Sequence, residues 1–329
     1  MWDIVTVGSN TIDWFLWTHP EMIHRMKRHH LETWMAYPIG AKILVEQFRV
    51  ATGGGGTNTA ATFSRLGLKT AYLSRVGADS NGDCVLADLK KYNVVFLGKR
   101  KGRTGFSVIL DSGSDRTVLT YKGANDEFLS TDVNPSKLRT KWFYFSAMIG
   151  KSYEALERLA LFAKKNQIQV AFNPSSYLAI KGKHFLGSLL KKVDVLILNK
   201  EEAQDMVGRF SGERLVRALA ASGPKIVAVT DGGKGVEAWD GIFYYKMPAR
   251  KVRVVETLGA GDAFAAGFVT GLILGYPTET SLKLGLNNAE SCIQVCGAKE
   301  GLLSQSKTSA VLGKDRRSFV KKRVSGIFK

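Results

Sequence analysis

Residues 252–274 read VRVVETLGAGDAFAAGFVTGLIL: a short β-branched run, a glycine-bearing turn, then a long apolar stretch. The spacing predicts a strand over Val252–Val255 and a helix opening at Asp262. A helix start leaves its first N–H groups without intrahelical partners, and the amides of Gly259, Ala260 and Gly261 would point from there toward an anion. Asp262 falls in the first turn, beside that anion position. An acid there commonly does no more than offset the helix dipole. A carboxylate next to an anion cradle is also where a general base for a hydroxyl nucleophile belongs. Base and cradle together are what phosphoryl transfer from a nucleotide requires.

The same strand-then-helix pattern recurs along the chain. The apolar runs Asp3–Gly8, Gln169–Asn173, Val193–Asn199 and Lys225–Thr230 end in small or polar residues. Between them, Ser152–Asn166 and Gly212–Ser222 carry apolar residues at three- and four-residue spacing. This alternation predicts an α/β fold with a mainly parallel central sheet flanked by helices. Ligands in such folds bind beyond the carboxyl ends of the strands, so polar residues just after strands carry weight. Two segments break the pattern. Trp14–Phe48 mixes aromatic and basic residues and ends in the strand-like AKILVEQFRV, while Gly105–Tyr121 reads as a hairpin around DSGSDR. They suggest a small β-rich lid of residues 14–45 and 101–125, inserted into a large domain of residues 1–13, 46–100 and 126–329.

With 45% hydrophobic and 23% charged residues, the 329-residue chain is neither disordered nor fibrous nor a disulfide scaffold. Its 47 Lys and Arg against 29 Asp and Glu leave a formal charge of +18, which suits phosphate groups, nucleic acid or an acidic membrane without choosing among them. Lys and Arg are spread along the chain rather than clustered with aromatics, which disfavours a nucleic-acid-binding protein. Cys84, Cys292 and Cys296 form no CxxC pair, the usage of a reducing, cytoplasmic setting. The apolar run Ala263–Leu274 is too short to cross a bilayer. His24, His29 and His30, among Arg25, Lys27 and Arg28, lack carboxylate or cysteine partners at ligand spacing and read as a solvated basic face. Trp14, Phe15 and Trp17 suit lid packing or a homodimer contact better than stacking on a nucleobase. The basic stretch from Lys314 suggests a surface helix or a frayed end.

The other glycine cluster, Gly53–Gly56, precedes Thr57, Asn58 and a helical pattern. It lets backbone approach a ligand closely, although a flexible turn before a capped helix fits the same letters. No Lys-Ser/Thr follows, so it is not a P-loop. The stretch GGGGTNTAATFSRLGLKTAYLSRVGADSNGD resembles the first signature of ribokinase-like (PfkB) carbohydrate kinases, and ETLGAGDAFAAGF resembles their second. Both occur in order, and the resemblance extends over nearly the whole chain.

The resemblance implies a ribokinase-like fold, with a large α/β domain and a small β lid, and an ATP-dependent kinase acting on a hydroxyl of a sugar, a sugar phosphate included. A nucleoside kinase of the same fold and a non-catalytic sugar sensor are the alternatives. By similarity Asp262 is the catalytic base, and Gly259, Ala260 and Gly261 form the anion hole. Asp13, Gly54, Gly55 and Asn58 match the family's sugar-binding positions, and Thr104 a lid position that touches substrate. Asn199 and Glu202 fit its Asn-x-x-Glu motif near the nucleotide phosphates, with Glu202 reaching Mg²⁺ through water. The same letters also satisfy a helix N-cap with acidic first-turn residues. Thr230 and Gly232 resemble its nucleotide turn, and Asn288 corresponds to a position beside the adenine. Glu256 stands where the family usually has Asp, a residue that often helps bind an activating K⁺, and the longer side chain puts that ion in doubt. WFYFSAM lacks the charged residue that ribokinase uses near its sugar, so ribose does not follow as the substrate.

Overall fold

A computed structural model describes residues 1–18, 24–28, 32–111 and 116–324. Among these, the apolar runs assemble a ten-stranded sheet. Its order is Val320–Arg323, Phe243–Met247, Val236–Trp239, Ile226–Thr230, Val195–Asn199, Gln169–Phe172, Thr140–Phe145, Trp2–Val7, Thr70–Leu73 and Val95–Phe96. From Ile226–Thr230 to Val95–Phe96 every pair is parallel, and the strands beyond are antiparallel.

Alternation along each strand sends side chains to two cores. Val5, Val7, Phe143, Phe145, Leu196, Leu198, Val227 and Val229 face the helices Lys151–Lys165, Gly182–Leu190, Lys200–Val207 and Gly212–Ala220. Ile4, Tyr144, Val195, Ile197 and Ala228 face Gly55–Arg65, Ala260–Ile273 and Thr278–Cys292. Each fully buried large apolar side chain stabilises the fold by roughly 1.5–3 kcal/mol. Burial on both faces explains why these strands read as continuous apolar runs.

A second, four-stranded sheet runs Arg116–Tyr121, Gly105–Asp111, Thr11–Thr18, Val45–Gly53. The expected hairpin is formed, with Phe106 opposite Tyr121 and Asp111 opposite Arg116; its turn, 112–115, lies outside the described residues, as do His29 and His30. This sheet includes Thr11–Asp13 and residues 46–53, so its strands run further toward the body than the composition of the segments suggested. Only Gly8, Ser9 and Asn10 separate Trp2–Val7 from Thr11–Thr18, which places Asp13 close above the carboxyl end of the central sheet.

Two expectations fail. Val252–Val255 is not a strand: the place beside Phe243–Met247 is taken by Val320–Arg323. Val255 and Glu256 instead donate their N–H groups to Ile293 O (2.8 and 3.2 Å). The basic C-terminal stretch is neither a surface helix nor a frayed end. The helix Gln305–Lys314 is followed by buried Arg317, which pairs with Glu290 (3.0 Å) and Asp315 (2.9 Å), and then by the sheet-edge strand. No helix among the described residues is long and apolar enough to cross a membrane.

Candidate active site

Two helix starts meet at the carboxyl end of the sheet. Gly54 caps the helix Gly55–Arg65 with φ 97°, and a Cβ at this position would lie 2.5 Å from Ser9 O, so glycine is required. The Gly55 N–H donates to Ser9 Oγ (3.2 Å) and the Gly56 N–H to Ser9 O (3.0 Å). These glycines therefore offer close approach to a ligand rather than free donors. Gly259, at φ 79°, caps the helix Ala260–Ile273 with no side-chain help. The Ala260 N–H turns back onto Thr257 O (3.2 Å), whereas the amides of Gly259 and Gly261 make no internal hydrogen bond among the described residues.

The two helices are joined by Asn58 Nδ2, which donates to Asp262 Oδ2 (2.9 Å). Asp262 is only partly covered, yet the surrounding walls strip water from its carboxyl. Desolvation pushes its pKa up, partly offset by the Asn58 donor and the charge of Lys299. Asp13 is buried, and desolvation raises its pKa too; the Ser107 and Thr11 hydroxyls and Lys299 work against that, and Glu256 adds to it. Asp13 Oδ1 and Asn58 Oδ1 are buried without any hydrogen-bond partner. Buried acceptors left unpaired are costly, so this end of the cleft demands O–H or N–H donors from a ligand.

A cleft of about 410 Å³ links these groups. Of the residues singled out above, Asp13, Gly54, Gly55, Asn58, Asn199, Glu202, Thr230, Gly259, Gly261 and Asp262 line it. Asn199 and Glu202 form a capping box, with Asn199 Oδ1 accepting from the Glu202 N–H (2.9 Å) and Glu202 Oε2 accepting from the Asn199 N–H (3.0 Å). The helix-cap reading is thus realised at the same place as the cleft wall. Glu202 has its pKa raised by desolvation, against the Asn199 N–H and reinforced by the charge of Asp262. Gly232 is exposed in the turn after Thr230.

Two residues stand elsewhere. Thr104 is buried, donating its N–H (2.9 Å) and hydroxyl (2.5 Å) to Asp79, the N-cap of the helix Ser80–Lys91. Asn288 is fully buried, with Nδ2 on Ala263 O (2.8 Å) and Oδ1 accepting from the Leu303 N–H (2.9 Å). Both ends of its amide are spent between helices, and it lines no part of the cleft.

Other groups went unnoticed. Ser146 and Asn173 line the cleft directly after the strands Thr140–Phe145 and Gln169–Phe172, where polar residues at strand ends could have been weighed. Buried Lys299, paired with Asp88 (2.6 Å) and Thr52 (2.9 Å), lies in GAKEG without any pattern to mark it. Lys122, another cleft residue, also carries no motif.

Metal fits differ at the two acidic positions. Among the described residues no group of three or more His, Cys, Asp or Glu could hold an ion; Glu202 on the cleft wall suits Mg²⁺ carried by phosphates and reached through water. Glu256 is met by donors: the Gly297 N–H (2.8 Å), Cys296 Sγ (3.4 Å) and the Arg49 guanidinium (3.8 Å). A monovalent cation does not fit a carboxylate already facing a resident cation.

The model of the pfkB family of carbohydrate kinases matches residues 31–305. The chain belongs to that family. This pfkB kinase is 31% identical over 250 residues to an uncharacterized sugar kinase of Archaeoglobus fulgidus, covering 73% of this chain and 97% of the relative. It is 29% identical over 282 residues to a ribokinase of Lactococcus lactis, covering 83% and 89% of the two chains. The crystal structure of a Thermotoga maritima ribokinase superposes with a TM-score of 0.80 at 22% identity, covering 95% of this chain and 100% of that one. The fold is ribokinase-like, and the pfkB kinase is a phosphotransferase with an alcohol acceptor, a sugar or nucleoside kinase.

Proposed function

We propose that the chain transfers the γ-phosphoryl group of ATP to a hydroxyl of a sugar held between Asp13 and Asn58. The observation that carries this reading is the arrangement around Asp262. Its carboxylate is 2.9 Å from Asn58 Nδ2, while Asn58 Oδ1 and Asp13 Oδ1 stand unpaired in the same region. Hydroxyls that satisfy those two oxygens bring a neighbouring hydroxyl to Asp262. The carboxylate takes that proton as the acceptor oxygen bonds to phosphorus and the bond to the departing ADP breaks. The amides of Gly259 and Gly261 bear charge on the transferred phosphoryl, and Ala260 fixes the turn through Thr257. Glu202 would help hold, through water, a Mg²⁺ brought in by the nucleotide, and that ion would supply neutralisation of phosphate charge. Asn199, Thr230 and Gly232 form the nucleotide side. Thr104 and Asn288 support the scaffold, and no K⁺ is needed beside Glu256.

A sugar is favoured over a nucleoside because none of Trp14, Phe15 and Trp17 lines the cleft, Phe15 being covered by Arg49, 4.9 Å from its ring centroid. The ring of Tyr177, which does line it, is already faced by the Lys122 ammonium at 3.7 Å. The cleft wall also carries Asp13, Glu202 and Asp262, the wrong sign for a nucleic-acid groove. Two copies pair, in this reading, through the outer face of the second sheet. Leu119, Val108, Trp14 and Val50 align across it, with Phe48 67% exposed beside them. The test is ADP release from Mg-ATP against a panel of pentoses, hexoses, sugar phosphates, sugar acids and nucleosides. Acceptor-dependent ADP with a sugar member is expected; a response to nucleosides alone, or to none, contradicts the proposal.

A further inference from the structure

Among the described residues that line the cleft, Lys122 carries the single cationic side chain. It directly follows the strand Arg116–Tyr121, and its place is fixed from both sides. In the second sheet Asp13 is opposite Ser107 and Ser107 opposite Thr120, and all three line the cleft. Two residues on, the Lys122 carbonyl accepts from Asn125 Nδ2 (2.9 Å), and Asn125 Oδ1 accepts the Asn10 N–H (2.9 Å). Lys122 is thereby tied to the loop that delivers Asp13, on the acceptor side. Asn199, Glu202 and Thr230 come from the strands Val195–Asn199 and Ile226–Thr230, further along the central sheet.

The Lys122 ammonium lies 3.7 Å from the centroid of the ring of Tyr177, which comes from the helix Ser175–Ala179 and also lines the cleft. Asp126 feels its charge, but no carboxylate among the described residues pairs with it. A ring face holds a cation without satisfying its N–H donors. Recognition of a neutral polyol requires no such cation, since Asp13, Asn58 and the Ser107 and Thr120 hydroxyls already supply its hydrogen bonds. We infer that the acceptor carries an anionic group, phosphate or carboxylate, seated on Lys122 beside Thr120 while its reacting hydroxyl meets Asp262. This rests on the kinase reading above and narrows its substrate to sugar phosphates or sugar acids.

Steady-state kinetics of wild type, Lys122→Met and Lys122→Arg with matched neutral, phosphorylated and carboxylated sugars test it. Wild type is expected to favour one anionic series over its neutral counterparts by about tenfold or more in kcat/KM, the scale of a charge-assisted pair. The arm showing the preference says whether the group is phosphate or carboxylate. In Lys122→Met the preference falls about tenfold through the acceptor KM, with the ATP KM unmoved; Lys122→Arg retains most of it. A wild-type preference for neutral sugars, an unchanged preference in a folded Lys122→Met, or a rise confined to the ATP KM overturns the inference and leaves the kinase reading standing. ADP release with no sugar of any kind overturns both.

Discussion

Asp262 and Asn58 are 204 positions apart in sequence and 2.9 Å apart in the cleft, and the chemistry of the site is set by that contact. Desolvation raises the Asp262 pKa and the Asn58 donor opposes it. A base works only when ionised, so acceptor turnover is expected to fall as pH drops through a value above that of an ordinary aspartate. Asn58→Ala removes the opposing hydrogen bond and moves this acid limb to higher pH; an unmoved or lowered limb in the pH–rate profile contradicts the coupling. The sign for stability runs the other way. A carboxyl whose folded pKa is raised contributes stability at low pH that is lost as pH rises through the folded value. Asp262→Asn is therefore expected to unfold at a midpoint equal to or above wild type near neutral pH. A lowered midpoint in thermal unfolding would show the ionised carboxylate to be structural. Residue types and order marked Asp262, whereas Asp13 and Asn58 stood out only through the resemblance to the kinase family. Neither could reveal Lys299, whose charge acts on Asp13 and Asp262 from a loop far away in sequence.

At the scale of elements, glycines set where the helices begin. Gly54→Ala would place a Cβ 2.5 Å from Ser9 O at φ 97°, and a loss of about 1–3 kcal/mol in denaturant unfolding is expected. A near-neutral effect would mean that the turn relaxes and does not fix the cleft. Strands buried on both faces, such as Val195–Asn199, were legible because their apolar runs have no solvent face to interrupt them. Edges were not. Val252–Val255 and Val320–Arg323 mix apolar and basic residues alike, yet it is Val320–Arg323 that takes the edge beside Phe243–Met247, while the Val255 N–H goes to Ile293 O. The capping box at Asn199 was legible as letters, but its position on the cleft wall depends on where the strand Val195–Asn199 sits in the sheet.

For the whole molecule, two sheets do different work. The inner strands of the central sheet bury both faces, whereas the second sheet leaves Phe48 and Leu119 exposed at 67% and 55%. If copies pair there, Phe48→Glu is expected to shift wild-type dimers to monomers in sedimentation velocity; a monomeric wild type, or a dimeric variant, rejects that face. Arg49 pairs with Glu256 (3.8 Å), and Arg116 donates to Thr257 Oγ1 (3.3 Å), so the second sheet rests on the turn that carries the anion hole. Segment composition could announce a β-rich insertion, yet these cross-sheet contacts exist only after folding. The most direct test of the central claim compares acceptor-dependent ADP release and ATP affinity in wild type and Asp262→Asn. Turnover is expected to fall by roughly 10²-fold or more with ATP affinity within about threefold; near-normal turnover in the variant would remove Asp262 as the base.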